Sequence, residues 1–228
     1  MRFTDRTEAG TLLAKKISTM DIDVKNTVVI ALPRGGVPVA YEIAKKLDLP
    51  LDIILIKKIG APFNPELAVG AVTEDDEVLY NFDLLNYLGT NAEDLVPYKE
   101  HALDTLKDTQ ATLRHGRSSL SLTNKNIILV DDGIATGATM EAAIEFLRRR
   151  KVRNILVACP VASTEAAKKI IKLVDGVSFV LTPPHLSSIS QWYVDFSQVE
   201  TAKVATMLDE LSRNTKAVTS PLNVMNIY

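Results

Sequence analysis

The chain has 228 residues and a mass of 25.0 kDa, which fits one large domain or two small ones. Hydrophobic residues make up 46% and charged residues 24% of the chain, so a core can form and disorder of the whole chain is excluded. The net charge of −2 and the pI near 6.0 exclude the strong basic field that holds nucleic acid non-specifically, and we expect no nucleic-acid partner.

The start of the chain predicts its compartment. Its first ten residues are polar and lack the apolar core of a signal peptide. No run approaches the roughly 18 consecutive apolar residues that a membrane span needs. We therefore expect a cytoplasmic protein without a membrane partner. The single cysteine, Cys159, cannot form an internal disulfide and is predicted to lie in the core.

Short apolar runs alternate with segments of helical period, which is the pattern of βαβ units. The apolar runs are rich in Val, Ile and Leu without polar alternation, as in strands that are covered on both faces. Strands are predicted at 28–32, 53–56, 127–130, 155–159 and 177–181. Helices are predicted at 7–18, 37–47, 138–149 and 164–173. The predicted fold class is α/β, with a parallel sheet flanked by helices.

The stretch between the second and third predicted strands is longer than a crossover helix requires. Segments 68–73 and 77–81 flank the acidic turn 74–76 and predict a β-hairpin. Residues 94–116 carry apolar side chains at helical spacing and predict a long helix. Insertions of this size are usually functional, as a lid or a subunit contact. The last segment, 215–228, has no periodicity and predicts a tail or an interface arm.

The strongest local signal is the string 126–139, where an apolar strand ends in Asp131 and Asp132. The small residues that follow are predicted to form an anion site, because N–H groups at a helix N-terminus point outward and its dipole favours negative charge. These residues are Ala135, Thr136, Gly137, Ala138 and Thr139. The two carboxylates would repel a phosphate, so we expect them to face sugar hydroxyls or Mg²⁺. A phosphate beside a diol describes a ribose 5-phosphate.

Three other interpretations of this string fit less well. A pair of solvated loop carboxylates before a capped helix explains an isolated Asp-Asp pair better than it explains the whole string. A Walker A P-loop is excluded because the Gly-Lys-Thr/Ser triplet is missing. A response-regulator receiver domain is disfavoured because its acidic residues belong nearer the N-terminus.

The string 130–139 resembles the phosphoribosyl-diphosphate (PRPP) binding motif of the type I phosphoribosyltransferases. Residues 33–36, Pro-Arg-Gly-Gly, are similar to the pyrophosphate loop of that family, and Lys57 with Lys58 resembles its basic patch. The closer likeness is to an uncharacterised group within the family. Its landmarks here are Phe3-Thr4-Asp5-Arg6, Asn64-Pro65-Glu66, Gly70-Ala71 and Trp192-Tyr193 with Asp195-Phe196-Ser197.

The resemblance covers about residues 1–212 and implies a single domain with a type I phosphoribosyltransferase-like sheet. It implies an insertion at about 60–120, a C-terminal hood at about 182–200 and a tail at 213–228. The implied activity is a Mg²⁺-dependent transfer of a phosphoribosyl group from PRPP to a nitrogenous acceptor such as a nucleobase, with release of pyrophosphate. A homodimer is also implied, with the insertion as a candidate contact.

The resemblance assigns roles to the cationic and glycine-rich positions. Arg34, Gly35 and Gly36 would bind pyrophosphate through backbone N–H groups and a guanidinium fork. Alternation along a strand allows only one of Lys57 and Lys58 to point into the cleft, and the resemblance favours Lys58. Two further arginines, Arg114 and Arg117, end the long helix, where they either close over the pyrophosphate or are solvated.

The residues that would bind the acceptor are the part of the site that the sequence defines least. Trp192 or Tyr193 could stack on a flat acceptor, although Trp192 could equally pack the hood onto the core. Asp195 could bond an acceptor amine or cap the following helix. Ala135 stands where the 6-oxopurine enzymes carry an Asp, which speaks against hypoxanthine or guanine. Gly133 stands where many members have a branched apolar residue.

Two alternatives to a transferase stay open from the sequence. The same fold could serve a regulatory protein that senses PRPP or nucleotides with little catalysis. It could also hydrolyse phosphoribosyl compounds, with water as the acceptor. Neither the acceptor nor a general base is identified by the sequence.

Overall fold

The computed structural model describes residues 2–114 and 116–218, apart from the side chains of Glu66 and of residues 212–218. The chain forms eight strands within these ranges: β1 (Thr27–Ala31), β2 (Leu51–Ile53), β3 (Ile56–Ala61), β4 (Asn64–Thr73), β5 (Val78–Tyr80), β6 (Asn126–Val130), β7 (Asn154–Val161) and β8 (Gly176–Leu181). Five of them form a parallel sheet in the order β2-β1-β6-β7-β8. The predicted α/β class with a parallel sheet is confirmed.

Helices cover both faces of this sheet. They are α1 (Arg6–Ile17), α2 (Gly36–Leu47), α3 (Phe82–Leu88), α4 (Val96–Arg114), α5 (Ala138–Arg149), α6 (Thr164–Ile170) and α7 (Thr201–Val218). One apolar cluster joins the sheet to α1, α2, α4 and α7, and a second joins its other face to α5 and α6. The sheet is therefore the middle layer, and Cys159 on β7 is fully buried in it, as predicted.

A second, antiparallel sheet has the order β3-β4-β5 and forms much of the insertion. The hairpin predicted around the turn 74–76 is confirmed. The strand predicted at 53–56 is wrong in its extent, because β2 ends at Ile53 and β3 begins at Ile56 in the other sheet. A continuous apolar run does not show where the chain leaves one sheet for another.

Ion pairs tie the acidic turn between β4 and β5 to two helices. Each of its four carboxylates meets a cation that lies within α4 or α5 or directly after α5, in the pairs Glu74–Arg114, Asp75–Arg150, Asp76–Lys107 and Glu77–Arg149. The exposed pairs each contribute little. The pair of Glu74 with Arg114 is buried, and Arg114 also pairs with Asp52 of β2 at the edge of the main sheet.

The C-terminal boundary differs from the prediction. Helix α7 continues to Val218, so the tail predicted to begin at 213 is helical over its first residues, and the lack of periodicity from 215 was misleading there. The remainder of that predicted tail, 219–228, lies outside the described residues. None of the helices in the described part of the chain combines the length and apolar character that crossing a bilayer requires.

Candidate active site

The predicted pyrophosphate loop and the two carboxylates meet at the carboxyl ends of β1 and β6, which are neighbours in the sheet. A Cβ atom on Gly35 would lie 2.0 Å from Oδ2 of Asp132, and one on Gly36 would lie 2.8 Å from the carbonyl oxygen of Val130. Only glycine allows the loop to come this close. The peptide bond between Pro33 and the following residue is cis. Two signals that are far apart in the sequence thus form one site.

Asp132 is held by contacts from both ends of the chain. Its buried carboxylate pairs with Arg6, with 2.7 Å between Nε and Oδ2. Arg6 also donates from Nη1 to the carbonyl of Ser197 at 2.9 Å, and its guanidinium carbon lies 3.9 Å from the ring centre of Phe196. The Tyr193 hydroxyl donates to the backbone carbonyl of Asp132 at 2.6 Å. This carboxylate is therefore fixed in place before any ligand binds.

Asp131 has the more unusual electrostatic environment. Its Oδ1 accepts a hydrogen bond from the backbone N–H of Asp132 at 2.8 Å. Burial, and then the charge of Asp132, raises the pKa of Asp131 well above its ordinary value. Burial also raises the pKa of Asp132, with Arg6 acting in the opposite direction. A cation bound here would favour the ionised form of both groups.

The predicted 5-phosphate loop leads into the N-terminus of α5. Gly137 has a φ of 90°, which other residues rarely adopt, and no side chain caps the helix. Ser163 fixes the loop by donating from Oγ to the carbonyl of Ala135 at 2.7 Å. Thr136 is exposed and Thr139 is half-buried. The first N–H groups of α5 are thus available to an anion.

The cations predicted to bind pyrophosphate differ in their placement. The half-buried guanidinium of Arg34 donates to the side-chain oxygen of Gln198, oriented with that oxygen toward it. Lys57 and Lys58 lie inside β3 of the antiparallel sheet, not at the end of a parallel strand as predicted. Both lysine side chains are exposed, and alternation places them on opposite faces of the ribbon.

The possibility that Arg114 closes over the pyrophosphate is wrong for this structure. Its buried guanidinium donates to Glu74 at 2.8 and 2.9 Å, to Asp52 at 3.1 Å and to the carbonyl of Ile53 at 2.7 Å. Arg117 is likewise engaged, by α7, through the ion pair with Asp209 at 3.2 Å. These arginines hold the insertion and the C-terminal helix, and neither is the solvated helix end that was the alternative.

The hood is a strap, residues 186–200, that crosses the carboxyl edge of the sheet. Ile189 packs against Gly133, where a Cβ atom would lie 2.3 Å from its Cγ2. Further along the strap, Tyr193 forms a parallel β-bridge with Phe3, so two of the landmark motifs pair with each other. The strap therefore contacts the loop of β6, and through Gln198 also the loop of β1.

The three residues predicted for the acceptor have different environments. Tyr193 is only 1% exposed, so its ring cannot stack on an acceptor, and that prediction is wrong. Trp192 is half-buried and packs into the apolar cluster of the hood. Asp195 is exposed and lines a cleft of about 250 Å³ that also borders Arg6. Its Oδ1 accepts from the backbone N–H of Ser197 at 2.8 Å, which lowers the pKa of Asp195.

The donor set at the site can be compared with what Mg²⁺ requires. Within residues 2–114 and 116–218, no group of three or more His, Cys, Asp or Glu side chains is arranged to hold a metal ion. Mg²⁺ commonly uses one or two carboxylates together with substrate phosphates and water. Asp131 and Asp132 fit that mode of binding.

Sequence reasoning missed three residues that contact the site: Arg6, Ile189 and Gln198. A signal existed for Arg6, because it ends the landmark Phe3-Thr4-Asp5-Arg6. No local pattern marked the other two, since each lies in the irregular strap.

Comparison with known proteins gives concordant matches. The family model described as a phosphoribosyl transferase domain matches residues 6–188. Two curated proteins from Mycobacterium tuberculosis, of strains CDC 1551 and H37Rv, bear a phosphoribosyl transferase name and are each 37% identical over 214 residues, 93% of this chain. The chain spans only 47% of the length of these relatives.

A solved structure agrees with the fold. The crystal structure of the protein TT1426 from Thermus thermophilus superimposes with a TM-score of 0.82 at 36% identity. The match covers 92% of this chain and 99% of that one.

Proposed function

The chain belongs to the phosphoribosyltransferase family, and from this premise we propose that it transfers a phosphoribosyl group from PRPP to a nitrogenous acceptor, with Mg²⁺ as cofactor and pyrophosphate as the second product. The observation that carries the proposal is the contact between Gly35 and the carboxylate of Asp132. It brings a candidate pyrophosphate loop beside candidate groups for the ribose. PRPP carries its pyrophosphate directly on the ribose, so it requires these two groups side by side.

The 5-phosphate is assigned to the N-terminus of α5. Backbone N–H groups of the first turn would bind its oxygens, and Thr136 and Thr139 lie where they can add hydroxyl donors. Gly137 lets the backbone approach the phosphate closely. Nothing in this assignment needs a lysine, which is consistent with the lack of one in the loop.

Pyrophosphate is assigned to the loop after β1. The N–H group of Gly35 can approach it without a side chain between, whereas that of Gly36 donates to the carbonyl of Leu32 at 3.1 Å. Arg34 can exchange Gln198 for a phosphate oxygen. A role for Lys57 and Lys58 remains part of the proposal, since their side chains are exposed. They would have to reach across from the second sheet.

The reaction is a substitution at the ribose C1. The bond from C1 to the pyrophosphate oxygen breaks and pyrophosphate leaves with its electron pair, while a bond forms from C1 to the acceptor nitrogen, which loses a proton. The positive charge that develops on the sugar lies near Asp131 and Asp132, so these carboxylates would stabilise it as well as orient the diol. Mg²⁺, when bound, would neutralise charge on the departing pyrophosphate.

The acceptor is assigned to the cleft that Asp195 lines beside Arg6. An exposed carboxylate in its ionised form accepts hydrogen bonds from an acceptor amine, as a nitrogenous substrate requires. Trp192 remains a candidate for the acceptor side, since its side chain is half-buried. Replacement of Asp195 by Asn should raise the KM for the acceptor and leave PRPP binding unchanged.

The central test removes the charge of the carboxylate pair. We expect the double variant Asp131→Asn/Asp132→Asn to lose PRPP binding in calorimetry while remaining folded, as shown by a cooperative unfolding transition. The matched control is Asp21→Asn, because Asp21 is exposed and lines a cleft at the opposite edge of the sheet. This variant should bind PRPP normally. Tight PRPP binding by the folded double variant would overturn the proposal.

Turnover distinguishes transfer from the two alternatives. Mass spectrometry of PRPP consumption across a panel of nucleobases and amines should show one acceptor that accelerates pyrophosphate release. Binding without turnover would favour a sensing protein. Release of pyrophosphate without any acceptor would favour hydrolysis.

We also propose a homodimer whose contact includes the insertion. Three large side chains on the insertion are exposed: Phe63 by 64%, Phe82 by 62% and Tyr87 by 88%. Exposed aromatic residues of this kind are enriched where proteins associate. Sedimentation of the full chain should give a dimer that Phe82→Glu weakens, and a monomer at all concentrations would contradict the proposal.

A further inference from the structure

Arg6 is the one cation in direct contact with the candidate carboxylates among the residues that the structure describes. Its side chain is 11% exposed, as is that of Asp132, and the 2.7 Å contact between them is both an ion pair and a hydrogen bond. Burial of this degree makes the pair sensitive to loss of either partner, because the remaining charge would be left without compensation.

The contacts of Arg6 fix its guanidinium on three sides. Nε donates to Asp132, Nη1 donates to the carbonyl of Ser197, and the plane lies over the ring of Phe196. A lysine would meet these partners with a compact charge and rotatable donors, without the rigid planar fork that fixes the direction of each bond. Arginine at position 6 therefore sets both the charge and the direction of the Asp132 carboxylate.

The hydrogen bonds divide the oxygens of the carboxylate pair. Oδ2 of Asp132 is taken by Arg6, and Oδ1 of Asp131 is taken by the backbone N–H of Asp132. One oxygen of each carboxylate has no N–H donor within the described part of the chain. The two carboxyl groups also interact with each other through their side chains, and a sugar diol or Mg²⁺ would replace that contact. The guanidinium of Arg6 offsets one of the two negative charges that a polyanionic substrate must approach.

We infer that Arg6 is a positioning residue for the sugar of PRPP, acting through the carboxylate of Asp132 and not through direct contact with substrate. The inference rests on the proposed function, because it assumes that the carboxylate pair faces the ribose. It assigns a role to the N-terminal segment, which the strap holds in place through the bridge between Phe3 and Tyr193.

A double-mutant cycle on PRPP affinity tests this directly. Arg6→Gln, Asp132→Asn and the double variant are compared with the unmodified chain by calorimetry in the presence of Mg²⁺. In the unmodified background we expect Arg6→Gln to weaken binding about tenfold or more, the size of coupling seen between directly contacting charged groups. In the Asp132→Asn background the same change should alter affinity less than about twofold, because the carboxylate through which Arg6 acts is gone.

Two further variants separate positioning from folding. Arg2→Gln is the matched control, since Arg2 donates to the carbonyl of Tyr193 at 2.6 Å and forms no ion pair with a carboxylate of the described residues. It should leave PRPP affinity unchanged. Arg6→Lys keeps a charge near Asp132, so it should fold, and it should give an intermediate affinity in the unmodified background and no effect beside Asp132→Asn.

The outcomes separate the two proposals. An equal loss of affinity from Arg6→Gln in both backgrounds, or an equal loss from Arg2→Gln, would overturn the positioning role and leave the proposed function intact. Absence of PRPP binding by the unmodified chain would overturn the proposed function, and the inference would fall with it. If Arg6→Gln does not fold, the comparison of Arg6→Lys in the unmodified and the Asp132→Asn backgrounds tests the positioning role instead.

Discussion

Ile189 occupies the space that a side chain on residue 133 would need. A Cβ atom at Gly133 would lie 2.3 Å from Cγ2 and 2.7 Å from Cγ1 of Ile189. The strap is therefore seated directly on the loop that carries the two carboxylates. The resemblance to the family implies a branched apolar residue at the position of Gly133, and the structure supplies an apolar group at that place from another part of the chain.

This contact predicts the effect of restoring the branched residue. Gly133→Val should lower the free energy of unfolding by about 1–3 kcal/mol, because overpacking forces neighbours out of their preferred conformations. It should also weaken PRPP binding, since the displaced strap carries Tyr193, which bonds the carbonyl of Asp132. Urea unfolding and calorimetry measure the two effects.

The control for this prediction removes the clash from the other side. In Gly133→Val/Ile189→Ala the three atoms that crowd position 133 are absent, so stability and PRPP affinity should largely recover. A double variant that is as unstable as Gly133→Val alone would contradict the steric explanation.

Tyr193→Phe tests whether the buried hydroxyl of this residue supports the loop that carries Asp132. The variant keeps the ring and removes only the hydroxyl that donates to Asp132 at 2.6 Å. Because the bond is buried, we expect the free energy of unfolding to fall by about 0.5–1.5 kcal/mol. Tyr87→Phe, at a side chain that is 88% exposed, should change it very little. Unaltered stability of Tyr193→Phe would contradict the assigned support of the loop by this hydroxyl.

The parts of the site that the sequence predicted are local in the chain. Two elements are each encoded by one short stretch of sequence: the apolar strand that ends in Asp131 and Asp132, and the small-residue loop with Gly137 that precedes a helix. The loop around Gly35 is equally local. Their meeting at one edge follows from the parallel order of the strands, which alternating strand and helix patterns predict.

The parts that the sequence did not predict depend on contacts between distant segments. Arg6 and Asp132 are separated by 126 positions in the sequence, and no local sequence pattern indicates a contact over such a distance. Tyr193 has an aromatic ring with a polar tip, which suits an exposed stacking site and a buried hydrogen bond equally well. The pairing of Arg114 with Glu74 and Asp52 likewise became visible only when the insertion was placed against the sheet edge.

The variant Arg114→Met should show how much the buried ion pairs of Arg114 contribute to the free energy of unfolding. The change would leave the carboxylates of Glu74 and Asp52 without their shared cation, and breaking a buried pair of this kind costs about 3–5 kcal/mol. The comparison is Arg149→Met, whose pairs with Glu77 and Glu145 are exposed and should contribute about 1 kcal/mol or less. Chemical denaturation of both variants checks the contrast, and similar losses would contradict the assigned burial.

The pH dependence of the free energy of unfolding should reveal the raised pKa of Glu74. Burial raises the pKa of Glu74 above its ordinary value of 4.5, although Arg114 acts in the opposite direction. The folded chain therefore binds this proton more tightly than the unfolded chain, so the contribution is fully present below 4.5 and is lost as pH rises through the folded pKa.

Glu74→Gln removes that titration while keeping the shape of the side chain. The free energy of unfolding of the variant minus that of the unmodified chain should rise with pH above 4.5 and become constant once Glu74 is ionised in both states. Urea unfolding at a series of pH values measures this difference, and the carboxylates common to both chains cancel from it. A difference that is flat, or that falls as pH rises, would show that Arg114 outweighs burial at this position.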